Sequence, residues 1–378
     1  MTYDFQYVSQ ELRGLIEPAT KVSHRFDSPL GLRVFSDAWV APYFEWNKSI
    51  GCVIDKEGRA IKDSECLEWK ECSDYYDLND YEQEHKKVIF LGFLLTGFGH
   101  SYTDDLRKLW FLKTDQCSSL INDGYELVYT TSWNKKIPSS VLDVFQLAGI
   151  CIREAYHITR LSRFDEIIVP DNCFRATDYG RVYSREYECM IDTIKRTIPY
   201  LDKPFQKVYF TRTSFTRDSV KEYGEAGIES VFRNLGYRIV VPEDYSVIEQ
   251  IQMARGCDFF AATDGSVAHM SLFCRPGANV VIINKANYLN FHQVMINEFA
   301  DLNVTYIEAH HSSMANKDYP WWGPFYLCIN HYLESFVGNT ISHHPYWAMF
   351  SYWKYSRNLF YRCFNRTRKV LGRIRRSC

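Results

Sequence analysis

The stretch KVYFTR, residues 207–212, decides the fold. An apolar run of this kind reads as a strand buried on both faces, which is the usual state of a strand in a parallel sheet. It delivers Arg212 at its carboxyl end. Downstream the pattern alternates. Ile228–Leu235 reads as a helix ended by Gly236, and residues 237–242 as a turn and strand. Ser246 with Glu249 three residues later makes a capping box that opens a further helix. Residues 257–263 and 279–283 read as strands, with a short helix over Val267–Phe273 between them. Strands alternating with helices predict a parallel sheet covered by helices.

The same alternation runs upstream. A buried strand over Lys87–Leu94 leads into Thr96-Gly-Phe-Gly-His100, then a helix of period 3.6 through Leu106, Leu109, Trp110 and Leu112. Residues 126–131 read as a strand, Val141–Leu147 as a helix, 166–170 as a strand, and Tyr183–Ile198 as a long amphipathic stretch. Before this lie short strands and loops, including a hairpin-like turn at Asp55–Gly58 and a very acidic loop over residues 73–85. The expectation is therefore an α/β protein with four parts. Residues 1–84 form a β-rich segment packed on the first domain, 85–203 a first Rossmann-like domain, 204–338 a second, and 339–378 a basic amphipathic tail.

Composition narrows the function. The 378 residues suit two domains of ordinary size. A net charge of −2 gives no reason to expect nucleic acid as a partner. The distribution is uneven, however: from Thr340 to Cys378 there is no Asp or Glu, while Lys354, Arg357, Arg362, Arg366, Arg368, Lys369, Arg373, Arg375 and Arg376 are basic. Tyr346, Phe350, Trp353, Phe360, Phe364, Leu371 and Ile374 recur among them at helical spacing. A basic amphipathic helix of this kind suits an anionic membrane surface, and packing on the body is the alternative for its first half. The 12 cysteines include no CxxC pair, so neither a zinc ribbon nor a thioredoxin-like site is expected. The polar start and the lack of a long apolar run point to a cytoplasmic protein, peripheral on the inner face of the cell membrane, with reduced thiols. On that reading the sequons at Asn47, Asn303 and Asn365 are chance matches.

Several residues could carry chemistry. Ligands of open α/β sheets bind outside the carboxyl ends of the strands. Arg212 sits there, Arg217 follows, and two guanidiniums can hold a diphosphate bidentately. A solvated loop is the plainer reading. The turn Thr263-Asp264-Gly265-Ser266, with His269 beyond, offers close backbone approach and a helix start for an anion. Glu249 could accept both hydroxyls of a ribose, although the capping box alone accounts for it. There is no GxGxxG, Walker A or DxD motif, and Asp115-Gln-Cys117 is not one, so neither a dinucleotide cofactor nor a metal–diphosphate clamp is expected. His100, at the end of a buried strand, has Asp104 one helical turn on. Asp104 could orient the ring so that it acts as a base. The alternative is a packed His100 with Asp104 capping a helix, and Asp105 competes for the role of base.

The order of these parts resembles glycosyltransferase family 61, the DUF563 domain. The likeness runs through Val208-Tyr-Phe-Thr-Arg212, Arg217, Glu222, Ile228–Tyr237, Val240-Val-Pro-Glu243, Ser246, Glu249 and Gly265–Phe273. Upstream, Gly99-His-Ser-Tyr-Thr-Asp104, Leu106 and Lys108-Leu-Trp110 are similar to another segment of that family. The resemblance covers roughly residues 85–290. Gly265, Ser266 and His269 are similar to bacterial capsule and lipopolysaccharide members, Asp264 and Met270 depart from the eukaryotic pattern, and Lys221 stands where the family has Asn before Glu222. The resemblance implies a GT-B-like pair of Rossmann-like domains facing across a cleft, inversion at the sugar, and a UDP-sugar donor. It also implies that Arg212 and Arg217 meet the donor phosphates, Glu249 the nucleoside, and Gly265–Ser266 the diphosphate.

The reading is a glycosyltransferase with no cofactor and no metal. A nucleotide-sugar is its donor, and a growing cell-surface polysaccharide or lipid-linked glycan its acceptor. A non-catalytic nucleotide-sugar- or glycan-binding protein of the same fold is one alternative, and another Rossmann-like enzyme such as an oxidoreductase is a second.

Overall fold

The computed structural model describes residues 1–43, 51–64, 78, 81–178, 180–215, 222–310, 323–338, 349–362 and 364. The chain forms two compact units. One is Ser23–Pro199, and the other joins Met1–Val22 to the chain from Tyr200 onward.

In the second of these, six strands make a wholly parallel sheet. Across it they run Arg238–Val240, Lys207–Phe210, Phe259–Thr263, Asn279–Asn284, Asn303–Glu308 and Thr2–Tyr7. The alternation read from residue 207 onward is thus the real architecture here. Helices Glu225–Asn234, Val247–Gly256 and Phe291–Phe299 connect the strands. On one face Tyr209, Ile228, Phe232, Val281 and Ile307 pack into a core with Leu327 and Leu333. Sequence order reverses between Lys207–Phe210 and Phe259–Thr263, because the next strand after Lys207–Phe210 lies on one side and all later ones on the other. Such a switch point opens a crevice at the carboxyl ends of the strands. Register sharpens this. Phe210 stands opposite Ala262, and Thr263 opposite Ile283, so Arg212, Asp264 and Asn284 emerge at one edge.

The edge strand corrects one expectation. Thr2–Tyr7 pairs with Asn303–Glu308, so the first 22 residues belong with the C-terminal part rather than packing on the first domain as part of a 1–84 segment. Tyr3 and Phe5 stack on Tyr306, and that aromatic surface holds the strand in place.

The unit Ser23–Pro199 carries a mixed sheet in the order Cys52–Ile54, Leu32–Ala41, Ser162–Pro170, Glu82–Leu94, Glu126–Thr131 and Tyr156–His157. The last four strands are parallel, and Leu32–Ala41 is antiparallel to both of its neighbours. A purely parallel Rossmann-like sheet was expected, but residues 32–41 and 52–54, read as peripheral, complete it instead. The helix expected through Leu106–Leu112 is broken into 3-10 turns at Asp104–Leu106 and Leu109–Lys113. Side chains there are committed to tertiary partners: the Trp110 indole donates to the Asp171 carbonyl at 2.8 Å, and the Lys108 amine donates to that of Pro170. Burial pushes the Lys108 pKa down to about 7, with Arg107 and Arg33 adding to the effect.

Residues 349–362 are helical. Among the described residues no helix is long and apolar enough to cross a membrane. Tyr346 and the arginine-rich stretch after Phe364 lie outside the described residues.

Candidate functional site

The switch point of the parallel sheet is held by one buried carboxylate. Glu222 opens a two-residue strand, Glu222–Tyr223, parallel to Phe325–Tyr326, and its side chain is fully buried. Its Oε1 lies 3.1 Å from Arg212 Nε and 2.7 Å from Lys285 Nζ, and its Oε2 accepts from the Thr263 hydroxyl at 2.6 Å. Three strand ends are thereby tied to a single group: Arg212 follows Lys207–Phe210, Thr263 ends Phe259–Thr263, and Lys285 follows Asn279–Asn284. The backbone that places Glu222 depends on Gly224. Its φ is 88°, and a Cβ there would stand 2.0 Å from the Leu327 carbonyl oxygen.

Glu225 lies just behind. Its Oε1 accepts from the Arg212 amide at 2.9 Å and from the Tyr209 hydroxyl at 3.1 Å. Burial, then the nearby Glu222, raises its pKa well above the usual carboxylate range. Arg212 and Lys285 set two cations against the single Glu222 carboxylate on which they converge. The cluster is net positive in a largely buried setting, where charge is poorly screened. Arg212 also stacks over Phe215 and Lys285 over Phe325, with the cations 4.1 Å and 4.5 Å from the ring centroids. An anion is the complementary guest.

The turn after Phe259–Thr263 closes one side. Gly265 has φ 125°, and a Cβ there would meet Lys285 Nζ at 3.0 Å, so only glycine lets the amine lie against the backbone without strain. Asp264 is buried and its Oδ1 accepts from Asn290 Nδ2 at 2.7 Å. Burial raises its pKa, against the opposing pull of Lys285, Asn290, Tyr288 and the Gly265 amide. Asp264 thus organises the turn, since a buried acid there would repel a phosphate. A small pocket adjoins it, lined in part by Asn284, Asn290, Gln293 and Tyr306. His269 sits in the 3-10 helix Ala268–Phe273, with Nε2 3.3 Å from Asn290 Nδ2 and its ring stacked on His292. Ser266 is exposed at the turn.

Two expected donor residues stand differently. Arg217 lies outside the described residues. Glu249 makes the capping box read from sequence: its Oε2 accepts from the Ser246 amide at 2.8 Å and from the Ser246 hydroxyl at 2.7 Å. Both bonds use one oxygen, and the cap lies at the same carboxyl edge of the sheet.

In the other unit the strand Glu82–Leu94 ends at a second constellation. His100 Nδ1 is 2.7 Å from Asp104 Oδ2, which also accepts from the Thr103 hydroxyl at 3.1 Å. A carboxylate can only accept, so Nδ1 carries the hydrogen and Nε2 is left as the basic nitrogen. Burial disfavours the charged ring, but the hydrogen bond and charge of Asp104, with help from Asp105, outweigh it and raise the His100 pKa above 6.5. Asp105 is 1% exposed, with its Oδ1 accepting from the Leu95 amide at 2.6 Å and its pKa pushed up to about 6 by burial. The His100 side chain keeps 43% of its exposure, so the ring is the more accessible of the two.

Sequence reading missed Lys285, Glu225 and the central role of Glu222. The signal for Lys285 was present: it is a cation immediately after a buried strand, the same criterion that selected Arg212. Glu222 reads as an ordinary loop acid until the strand ends are brought together.

An α/β protein with an anion-receptive switch point in one unit and a His–Asp pair at a strand end in the other is suited to group transfer. The family model described as Glycosyltransferase 61 matches residues 98–281, a little under half of the chain. Over that segment the chain is similar to glycosyltransferase family 61, whose transferase activity implies a donor and an acceptor. The matched segment includes His100, Asp104, Asp105, Arg212, Glu222 and Asp264–His269, and stops short of Lys285. No curated protein matches the chain.

Proposed function

We propose that the protein is an inverting glycosyltransferase that moves a sugar from a nucleotide-sugar, a UDP-sugar by family likeness, to a growing cell-surface polysaccharide or lipid-linked glycan. The observation that carries the reading is the Arg212–Glu222–Lys285 cluster at the switch point. The unit built around residues 200–338 binds the donor. Its diphosphate lies against Arg212 and Lys285, with Gly265 and Ser266 beside it and Arg217 as a further cation. Glu249 remains a candidate for the ribose, through the oxygen that its cap does not use. In the other unit His100, oriented by Asp104, is the base for the acceptor.

The chemistry is a single displacement. His100 Nε2 removes the proton of the acceptor hydroxyl, the oxygen bonds to the anomeric carbon from the face opposite the leaving group, and the bond to the diphosphate breaks. The departing diphosphate is stabilised by fixed cations in a largely buried site. With cations of the protein in that role, transfer is expected to persist in EDTA. A bacterial surface-polysaccharide role and a cytoplasmic location on the inner membrane face belong to the same proposal.

A thermal-shift panel of nucleotides followed by product analysis tests it. UDP at about 100 times its dissociation constant should stabilise the fold by roughly 2.7 kcal/mol. His100→Gln should lower transfer by about 10²–10⁴ with donor affinity unchanged. Stabilisation without any product from a sugar-nucleotide pool would favour a binding protein, and no response to any nucleotide would sink the donor site.

A further inference from the structure

The helix over residues 349–362 has two opposed faces, and among the described residues one of them carries the contacts to the rest of the protein. Tyr355, Asn358 and Arg362 recur at intervals of three and four and form the docking face. Tyr355 is fully buried and packs edge-on against Tyr223, the Asn358 amide donates to the Tyr223 hydroxyl at 3.0 Å, and Arg362 donates to the Gly323 carbonyl. The helix is therefore fixed in rotation about its axis.

That register turns Met349, Trp353, Phe360 and Phe364 to the opposite side, with Phe350 and Tyr361 flanking them. These side chains are exposed, Met349 by 69% and Phe360 by 73%. Scattered exposed apolar residues are ordinary, but a continuous stripe of this size on one helix face marks a contact surface. Cations are built into the stripe. Lys354 lies over the Phe350 ring at 4.1 Å and Arg357 over the Trp353 ring at 4.9 Å, and Phe350 and Trp353 stack on each other. The segment from Thr340 onward contains no acidic residue that could neutralise them.

We propose that this face lies in the lipid–water interface of a membrane carrying anionic headgroups. Aromatic rings of intermediate polarity favour that zone, and Lys and Arg can keep their stems in the apolar layer while their charged ends reach the headgroups. The helix lies on the membrane rather than crossing it. The chemistry disfavours the other obvious occupant, a second copy of the chain. A two-fold contact through this stripe would oppose Lys354 and Arg357 to their own copies, with no carboxylate from this segment between them.

The test is flotation of the full chain with vesicles of phosphatidylcholine alone and of phosphatidylcholine mixed with phosphatidylglycerol, over a range of salt. Binding should require the anionic lipid and weaken with salt. Each cation near such a surface adds about fivefold to partitioning, so Lys354→Gln/Arg357→Gln should lose roughly 25-fold. Trp353→Ser/Phe360→Ser/Phe364→Ser should abolish binding while the melting temperature stays unchanged, because these side chains face outward. Sedimentation of the parent protein and the aromatic variant completes the experiment. Equal flotation of both variants with the parent overturns the proposal. So does a concentration-dependent dimer that the aromatic variant loses, if the parent binds neither vesicle.

Discussion

Replacing Lys285 by Met removes one cation from the switch point and keeps the length of the side chain. Two effects follow, and the structure separates them. The first falls on the fold. Glu222 is fully buried, and stripping a buried carboxylate of all its partners costs about 3–5 kcal/mol. Here Arg212 at 3.1 Å and Thr263 at 2.6 Å remain, so the loss is nearer that of one hydrogen bond to a charged group, roughly 1.5–3 kcal/mol. Adding Glu222→Gln to Lys285→Met should recover part of it, because the charge needing compensation is gone. The second effect falls on the ligand. A phosphate oxygen loses one charge-assisted hydrogen bond, which lowers UDP affinity by roughly 10- to 150-fold. Calorimetric titration of UDP into the folded variant reads this directly, with a thermal melt as the control. Unchanged UDP affinity in a folded Lys285→Met protein would refute the claim that the cluster holds the diphosphate. It would leave the stability argument standing.

Two further substitutions test the fold and the other constellation. Asp105→Asn should stabilise the protein above pH 6. The folded pKa of about 6 lies above the ordinary 3.8, so the acid's contribution is fully present below about pH 3.8 and is lost as pH rises through about 6. The gain, ~1–3 kcal/mol at pH 7 by chemical unfolding, should vanish near pH 4, and a gain that does not depend on pH would contradict the burial argument. Transfer should survive the same change if His100 is the base. Gly224→Ala should destabilise by more than ~2 kcal/mol, because it combines a left-handed backbone with a clash against a carbonyl oxygen, and a normal melt would contradict the role given to the Gly224 turn in placing Glu222.

The parallel sheet was legible because its strands are short, apolar and regularly spaced, and because buried strands between helices leave few other arrangements. Thr2–Tyr7 was not. Its neighbour Asn303–Glu308 lies some three hundred residues away in the chain, and no local pattern encodes a pairing at that separation. Leu32–Ala41 failed for a related reason. It reads as a short strand, but its first half is largely exposed and its second half buried, and nothing local assigns it to the main sheet until Ser162–Pro170 is placed beside it. The broken helix after His100 shows the opposite error. Its apolar period was real, but buried polar groups at Asp104, Asp105 and Lys108 needed partners elsewhere, and satisfying them outweighed a regular helix.

The site was legible wherever chemistry and strand ends coincide, and opaque wherever it depends on one residue answering several others. Arg212 could be chosen from sequence because a guanidinium after a buried strand has few purely structural uses. Glu222 could not, because its meaning lies in the simultaneous approach of Arg212, Lys285 and Thr263. Its burial also reverses the simple inference about charge. An acid beside a proposed phosphate site looks unfavourable, yet without Glu222 two largely buried cations would repel each other and swing toward solvent. The carboxylate fixes both ammonium and guanidinium in place before any ligand arrives, and it cancels only one of the two charges. The raised pKa of Glu225 works in the same direction. Under the proposed function, a site of this design would meet the donor diphosphate with its cations already oriented, so less reorganisation would oppose the growth of charge as the leaving group departs.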